Sequence, residues 1–364
     1  MRYRINRRTG DRISEIGLGS AYMPEVPLDR AIAALRRAYE GGINYYDLAA
    51  GSGKAFPMYG QAFSDVRQRI FYQIHFGADY SGGAYGWSLD LDTVKRSVDK
   101  QLQELGTDYI DYGFIHCQDE TADWETYQKN GIYDYILSLK RQGVVRHLGL
   151  SSHTPGVIGR IMDDAPIDML MFSVNPAYDY GQGEYAYGES EERAQVYRRC
   201  EREGVGISVM KPFSGGQLLD AARSPFHQAL TIHQCIRYAL DRPAVLTVLP
   251  GAQSMEEVEA LLAYCDQPED ALDYSVVGSF APPQASGKCV YCNHCRPCPA
   301  GIDIGLVNKY YDLALSGDPL ALEHYRTLEK NASDCISCGH CDSRCPFSVH
   351  QSQRMEEIRR YFEG

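Results

Sequence analysis

The sequence Gly-Gly-Ile-Asn-Tyr-Tyr-Asp at Gly41–Asp47 decides the fold, because it joins a helical stretch to a short strand that ends in a carboxylate. The helical stretch before it, Leu28–Glu40, is amphipathic, and the next β-rich run is Ile70–Phe76. Apolar β-rich runs that alternate with amphipathic helices every ~30 residues are typical of βα units. This stretch therefore predicts one unit of an α/β fold.

The same alternation continues on both sides of this unit, from the N-terminus to Cys265. Eight units predict a (β/α)8 TIM barrel, in which the residues that end the strands point into the catalytic mouth. A doubly wound sheet is less favoured, because the sequence has no glycine fingerprint. The first residues, through Arg12, predict a hairpin that plugs the barrel floor. The predicted strands are Ile16–Leu18, Ile43–Tyr46, Ile70–Phe76, Tyr109–His116, His147–Leu150, Met169–Val174, Gly206–Met210 and Val245–Leu249, and further helices are predicted at Leu91–Leu105, Glu191–Glu203 and Ser254–Cys265.

The cysteines divide into two sets, since eight of the twelve lie between Cys289 and Cys345. Two residues between cysteines let one loop aim three thiolates at three corners of an iron–sulfur cube. The crowded eight are therefore predicted to be cluster ligands, and the other four, Cys117, Cys200, Cys235 and Cys265, ordinary buried thiols. The two runs read Cys289-x2-Cys292-x2-Cys295-x2-Cys298-Pro299 and Cys335-x2-Cys338-x2-Cys341-x3-Cys345-Pro346.

Each run predicts one [4Fe–4S] cluster, and in two-cluster ferredoxins the fourth cysteine of each run binds the other cluster. A pair of zinc sites is the alternative, because four closely spaced cysteines also suit tetrahedral zinc. Zinc ribbons usually carry two separated Cys-x2-Cys pairs, which disfavours that alternative. His294 and His340 lie inside the loops and are predicted to be spacers. The predicted ligand sets are Cys289, Cys292, Cys295 and Cys345 for one cluster, and Cys335, Cys338, Cys341 and Cys298 for the other.

The stretch between the two runs carries two helix signals. Asp303 is a predicted cap for a helix that runs to about Leu315, and Asp318-Pro319 opens a second helix through Leu328. A helical spacer favours an all-helical ferredoxin-like module. The predicted organisation is a barrel over residues 1–265, a linker over 266–286, and a ferredoxin-like domain with a C-terminal helix over 287–364.

Composition excludes several classes of partner. The formal net charge is -12 and no stretch shows clustered Lys and Arg, so a nucleic-acid partner is disfavoured. The longest apolar runs, such as Met169–Val174, are too short to cross a bilayer. The N-terminus has no apolar segment of the kind found in secretory signals. We therefore expect a cytoplasmic protein without a membrane partner.

Five stretches of the barrel sequence form a recognisable set: Gly41–Asp47, Leu105-Gly106-Thr107-Asp108-Tyr109-Ile110-Asp111, Ile115-His116, Gly149-Leu150-Ser151-Ser152 and Leu249-Pro250-Gly251. As a set they resemble the aldo-keto reductases, and the likeness runs from about residue 14 to residue 265. The added cysteine-rich end resembles the ferredoxin-fused branch of that family.

The resemblance implies an Asp–Tyr–Lys–His catalytic set at the barrel mouth, of which half is altered. Asp47 and His116 match the family Asp and His, whereas His75 takes the place of the Lys. Ser52 lies where the family Tyr is expected, and Tyr59 follows seven residues later. Tyr59 either reaches the mouth through a longer loop or packs at the start of the next helix.

The resemblance also implies cofactor contacts after several strands. They fall on Ser20, Ser151 and Ser152, on Asn175 in place of the usual Gln, and on Lys211 where relatives bind the pyrophosphate. After the last strand, Glu256 and Glu257 stand where relatives that prefer NADP carry cations. This acidic stretch repels a 2′-phosphate, so NADP preference and the use of NAD(P)H remain open, as does a flavin.

These observations predict an oxidoreductase that acts on a small organic, carbonyl-like substrate, with single electrons relayed by two [4Fe–4S] clusters. Asp47, His75, His116 and Tyr59 are the predicted catalytic residues. A ferredoxin-like or flavodoxin-like redox partner is expected. One alternative is an electron-transfer subunit with a catalytically degenerate barrel. A minor alternative is a metal site of His75, His116 and Asp47, a two-His-one-carboxylate set that His153 could join.

Overall fold

A computed structural model describes residues 1–280, 287–289, 291, 293–315, 321–345 and 347–363. Its central feature is a parallel eight-stranded sheet in the order β3-β4-β5-β8-β9-β10-β11-β12. Parallel bridges between Ile16 and Val248 and between Gly19 and Gly251 join the two edge strands. The sheet therefore closes into the predicted barrel. The strands are β1 (Tyr3–Ile5), β2 (Arg12–Ser14), β3 (Leu18–Gly19), β4 (Tyr45–Asp47), β5 (Phe71–Phe76), β6 (Ala78–Asp79), β7 (Gly86–Trp87), β8 (Ile110–Ile115), β9 (Val145–Ser151), β10 (Met169–Ser173), β11 (Gly206–Met210) and β12 (Val245–Val248).

Helices surround the barrel because each strand is followed by an amphipathic segment whose apolar side packs on the sheet. In α3, Asp90 accepts a hydrogen bond from the Thr93 N–H at the start, and Gly106 ends the helix with a φ of 64°. All eight predicted strands are confirmed to within two residues at either end. The barrel helices are α1 (Leu28–Glu40), α2 (Ala55–Phe63), α3 (Leu91–Leu105), α4 (Thr121–Lys129), α5 (Ile132–Arg141), α6 (Pro155–Asp164), α7 (Pro176–Asp179), α8 (Ser190–Glu203), α9 (Ile232–Leu240) and α10 (Met255–Leu262).

The N-terminal hairpin closes the lower end of the barrel, as the sequence predicts. Strands β1 and β2 pair antiparallel, and Asn6 in their turn donates a hydrogen bond to the Asp168 carbonyl. Higher in the barrel, Gly149 of β9 packs against the Phe114 ring, where a Cβ would come within 2.4 Å of the ring. A larger residue at Gly149 would push this ring out of place.

The C-terminal module is helical. Its helices are α11 (Ile304–Leu315), α12 (Ala321–Arg326), α13 (His340–Arg344) and α14 (Gln351–Glu363). Asp303 accepts a hydrogen bond from the Leu306 N–H, as expected of the predicted cap. The predicted start of the second helix, Asp318-Pro319, lies outside the described residues. In the linker, short turns of 3-10 helix occur at Glu269–Leu272 and Ser275–Phe280.

The C-terminal module packs along the side of the barrel. Lys309 of α11 lies 3.3 Å from Glu201 near the end of α8, and Lys288 lies 3.6 Å from Glu191 at the start of the same helix. Near the barrel mouth, the Phe347 ring contacts the Tyr180 ring at a centroid distance of 5.9 Å. Among the described residues, no helix combines the length and apolarity needed to cross a bilayer.

Candidate active site at the barrel mouth

Three adjacent barrel strands bring Asp47, His75 and His116 together at their carboxyl ends. Asp47 ends β4, His75 lies near the end of β5, and His116 directly follows β8. His75 Nε2 lies 2.8 Å from Asp47 Oδ1, and His75 Nδ1 lies 2.9 Å from His116 Nδ1. All three side chains are buried. The structure therefore joins three of the predicted catalytic residues into one hydrogen-bonded chain.

Tyr85 completes this chain, and no sequence argument above singled it out. Its hydroxyl lies 2.7 Å from His116 Nε2. Tyr85 sits on the turn between β6 and β7, a hairpin inserted between β5 and α3. The signal for this turn is Gly82-Gly83 between aromatic residues, a common turn dipeptide. The hairpin supplies a tyrosine that the altered family motif lacks.

A carboxylate acceptor at one end assigns the proton positions along the chain. The Asp47 carboxylate can only accept, so His75 donates its Nε2 proton to it. His75 Nδ1 is then an acceptor for the His116 Nδ1 proton, and His116 Nε2 accepts from the Tyr85 hydroxyl. In this arrangement each group passes its proton toward Asp47.

Burial sets the protonation of Tyr85 and His116 at the outer end of this chain. It lowers the pKa of His116 well below the usual value, with smaller contributions from His75 and His153. It raises the pKa of Tyr85 to about 12, to which Cys117 and Asp119 also contribute. Near neutral pH, His116 is therefore a neutral acceptor and Tyr85 keeps its proton. Such a pair can take a proton from an alcohol and, in reverse, give one to a carbonyl oxygen.

Gln73 holds the base of the chain in place. Its amide nitrogen donates to Asp47 Oδ1 over 3.0 Å, while its oxygen accepts hydrogen bonds from Tyr45 and Ser208. All of these polar groups are buried, so each needs a partner inside the barrel. Gln73 therefore fixes the orientation of the Asp47 carboxylate toward His75.

The structure places Tyr59 elsewhere. Its ring is buried in α2 at a centroid distance of 5.9 Å from Tyr46, and its hydroxyl has no hydrogen-bond partner among the described atoms. Burial raises the pKa of this hydroxyl, with a further contribution from Asp47. Tyr59 therefore packs in the helix, the second of the two alternatives that the sequence leaves open. The loop after Asp47 ends where α2 begins at Ala55, and α2 holds the Tyr59 ring in the core and away from His116.

A second hydrogen-bonded chain lies in the loops after β8, β9 and β11. Lys211 Nζ lies 2.8 Å from His153 Nε2, and His153 Nδ1 lies 2.9 Å from Asp119 Oδ2. The Cys117 thiol, 3.6 Å from Asp119 Oδ2, borders this chain. Because Cys117 and Asp119 act on Tyr85 and on Lys211 alike, the two chains face the same region of the mouth.

The two-histidine metal site is not favoured by this geometry. His75 uses its two nitrogens, on opposite sides of the ring, for Asp47 and His116, so the three residues do not converge on one point. In the described part of the chain, Cys117, Asp119 and His153 do bring ligand atoms within 4.8 Å of one another. A metal on His153 Nδ1 would displace the proton shared with Asp119 and leave an N–H facing the Lys211 ammonium. The contacts of His153 with Asp119 and Lys211 therefore favour a hydrogen-bonded chain over a metal site.

The predicted cofactor residues are largely engaged within the protein. Asn175 accepts from the Tyr178 N–H and donates to the Lys211 carbonyl, so both ends of its amide are used. Ser152 donates to Asp119, and Lys211 contacts His153. The buried Ser20 hydroxyl has no partner among the described atoms, and Ser151 is buried beside Ser152. Asn175, Ser152 and Lys211 are thus engaged within the protein, whereas the Ser20 hydroxyl is not.

In the C-terminal module, one cavity collects the four cysteines that the spacing assigns to a single cluster. The second run turns through Ser337, which has a φ of 53°, and Gly339, which has a φ of 70°. These left-handed residues fold the loop sharply, so that its cysteines face one point. Apolar Ile302 and Met355 line the same cavity and fit a water-excluded cluster. The four cysteines are Cys298, Cys335, Cys338 and Cys341.

The other predicted set is described in part, because Cys292 lies outside the described residues. Cys295 is buried, and Cys289 and Cys345 are half-buried. The Cys345 sulfur accepts a hydrogen bond from the Val349 N–H over 3.4 Å. Within the described residues, no three cysteine sulfurs approach within 4.8 Å of one another. That spacing disfavours a single zinc ion held at about 2.3 Å from each sulfur.

Comparison with known proteins agrees with this architecture. Residues 15–229 match the aldo/keto reductase family, and residues 288–350 match a 4Fe-4S dicluster domain. An uncharacterized oxidoreductase of Bacillus subtilis, YqkF, is 27% identical over 68% of this chain and 85% of its own length. The L-galactose dehydrogenase of Arabidopsis thaliana is 23% identical over 70% of this chain and 85% of its own. The structure of aldo-keto reductase AKR11C1 from Bacillus halodurans superposes with a TM-score of 0.63 at 21% identity, covering 78% of this chain and 97% of that protein.

Proposed function

Because the chain belongs to the aldo/keto reductase family and carries a 4Fe-4S dicluster domain, we propose that it interconverts an alcohol and its carbonyl compound with electrons relayed by iron–sulfur clusters. The chain is an oxidoreductase of this family. The proposed reaction is R2CHOH ⇌ R2C=O + 2e⁻ + 2H⁺. A ferredoxin-like or flavodoxin-like protein is the proposed redox partner for the electrons.

The chain from Tyr85 to Asp47 carries one of the two protons of this reaction, the hydroxyl proton. The other proton, from the C–H bond, would leave to solvent as the two electrons pass to the clusters. In the direction of oxidation, Tyr85 accepts the hydroxyl proton of the substrate while passing its own to His116 Nε2. The His116 Nδ1 proton moves to His75, and the His75 Nε2 proton moves to Asp47. Reduction runs through the same steps in reverse. Burial of the three inner groups excludes competing water.

The electron part rests on one observation, the contact between Phe347 and Tyr180. Phe347 follows Cys345, a proposed cluster ligand, by two residues, and Tyr180 lies in the segment after β10 at the barrel mouth. Phe347 also packs with the main apolar core of the barrel. This contact favours an exchange of electrons between the cluster nearest Cys345 and the barrel mouth.

Two [4Fe–4S] clusters are proposed, held as the spacing assigns them. The cavity that Cys298, Cys335, Cys338 and Cys341 line supports one of these clusters, because all four cysteines of one predicted set border it together with apolar side chains. When bound, the clusters accept or supply one electron at a time. A hydride carrier cannot do this without a converter, so a flavin or nicotinamide would be an additional component.

Anaerobic purification followed by cofactor identification tests this proposal. We expect iron and sulfide in amounts that correspond to two clusters, and no nicotinamide-dependent turnover in the absence of a one-electron partner. A tightly bound nicotinamide that supports full turnover after both clusters are removed would overturn the proposed relay. A released flavin would place the one-to-two-electron conversion on that cofactor.

A further inference from the structure

The chain of Lys211, His153 and Asp119 is not used by the proton transfer described above. It has the arrangement of a nucleophile, a base and a group that orients the base. Lys211 Nζ to His153 Nε2 measures 2.8 Å, and His153 Nδ1 to Asp119 Oδ2 measures 2.9 Å. Asp119 also accepts the His153 backbone N–H over 2.6 Å, which fixes the imidazole further.

We propose that Lys211 is a nucleophile that binds a carbonyl group of the substrate as an imine. This inference rests on the proposed function and deepens it. If Lys211 holds one carbonyl group while Tyr85 serves a hydroxyl group, the substrate class is a hydroxyaldehyde or hydroxyketone in its open-chain form.

The backbone supports a special role for this position. Lys211 has a φ of 55°, and the neighbouring Cys117 has a φ of 47°, both in the region that favours glycine. Residues other than glycine persist there only when their surroundings impose it, and such residues cluster at functional sites. In this backbone conformation the Lys211 amine contacts His153 and lies over the Tyr185 ring, 3.3 Å from its centroid.

The surroundings of the two residues favour the Lys211 amine over the Cys117 thiol as the nucleophile. Burial lowers the pKa of Lys211, which increases the fraction of free amine. Burial and Asp119 raise the pKa of Cys117 to about 12, so this residue remains a thiol. Lys211 is half-buried and so is not sealed in the barrel core.

The imine step is balanced without a redox partner. His153 takes a proton from the Lys211 ammonium and becomes a cation stabilised by Asp119. The free amine attacks the carbonyl carbon, a C–N bond forms, and the carbonyl oxygen leaves as water with protons supplied by His153 and by the amine. Hydrolysis reverses these steps and releases the substrate.

Reductive trapping tests the inference on the full-length protein with oxidised clusters. Glycolaldehyde and cyanoborohydride convert an imine into a stable secondary amine, which peptide mass spectrometry locates. We expect Lys211 to be labelled faster than the exposed residues Lys100 and Lys129. Labelling of Lys211 no faster than these two would overturn the proposal.

The H153Q variant sharpens the test, with Y187F as its control, since Tyr187 borders His153 through a ring contact only. We expect H153Q to lose the preference for Lys211 and Y187F to keep it. Preferential labelling of Lys211 at the wild-type rate in H153Q would also contradict the proposal. Because cyanoborohydride supplies the hydride for trapping and the clusters supply no electrons to it, a failure of trapping is distinguishable from a failure of the cluster relay.

Discussion

The barrel mouth and the cysteine-rich module are built on opposite principles. The mouth joins groups from distant parts of the chain, so that Asp47 and His116 meet through His75. The module instead gathers its sulfurs mainly by local spacing, with Cys335, Cys338 and Cys341 on one short loop. A long-range site depends on the whole barrel, whereas a local site depends on a few residues and on the metal it binds. The two regions should therefore fail independently.

The largest effect is expected when a cluster ligand is removed, a change that should affect the cysteine-rich module and leave the barrel mouth intact. In C341S we expect loss of the cluster assigned to Cys298, Cys335 and Cys338, and about half of the iron, because three thiolates hold a cube poorly. Iron analysis and electron paramagnetic resonance measure this loss. C235S, which alters a buried cysteine of the barrel, is the control and should keep its iron. Full iron in C341S would contradict the ligand assignment.

The reverse experiment damages the barrel site and leaves the clusters intact. D47N removes the proton acceptor at the end of the chain, and we expect turnover to fall by about 10²–10⁴, the usual contribution of a positioned acid or base. Iron content should remain at the wild-type value. D65N, which changes an exposed carboxylate on the barrel surface, is the matched control. Wild-type turnover in D47N would contradict the proposed role of this hydrogen-bonded chain in proton transfer.

The difference between the regions explains what the sequence could predict. Eight βα units and the residues at their strand ends follow from periodicity, so the barrel, Asp47 and His116 were accessible to prediction. The cysteine spacing also predicts that Cys298 binds the same cluster as the second run, and Cys298 lines one cavity with the cysteines of that run. Patterns of this kind depend on residues close together in the sequence, so they can be recognised without a structure.

Contacts between loops were not accessible in the same way. Tyr85 reaches His116 from a hairpin, 31 residues away in sequence, and no spacing rule connects the two. Lys211 meets His153 across 58 residues, from loops that follow different strands. Tyr59 was singled out because it stands in a Tyr-Gly pair near the family position, but α2 buries its ring. Loop geometry decides which tyrosine faces the mouth.

The contact between the two regions has a smaller expected effect. F347L removes the ring that packs on Tyr180, and we expect a loss of about 0.5–1.5 kcal/mol in the free energy of unfolding, the range for an aromatic pair. Urea unfolding followed by fluorescence measures it. F280L, which alters a more exposed ring packed on Phe226, is the control. The cluster nearest Cys345 should exchange electrons with substrate more slowly in F347L, and an unchanged exchange rate would exclude this contact as the route.

The last expected effect concerns the pH dependence of stability. The pKa of His116 is lowered from 6.5 on folding, so the unfolded chain binds its proton more readily than the folded chain does. The contribution of His116 to stability is therefore complete above about pH 6.5 and is lost as the pH falls below it, by at most about 1.4 kcal/mol per pH unit. Urea unfolding between about pH 5 and 7 measures the slope. H116N should flatten it, whereas H227Q, on the surface, should not; equal slopes in all three proteins would contradict this role of burial.

The most direct test of the account is a single-turnover reaction without added nicotinamide. Protein with both clusters reduced is mixed with a panel of small aldehydes and hydroxyaldehydes, and cluster absorbance and alcohol are followed together. The account predicts that the clusters are reoxidised and that one alcohol forms for every two electrons they lose, a reaction that Y85F slows strongly. Clusters that stay reduced with every compound until a nicotinamide is added, or alcohol that forms while they stay reduced, would contradict it.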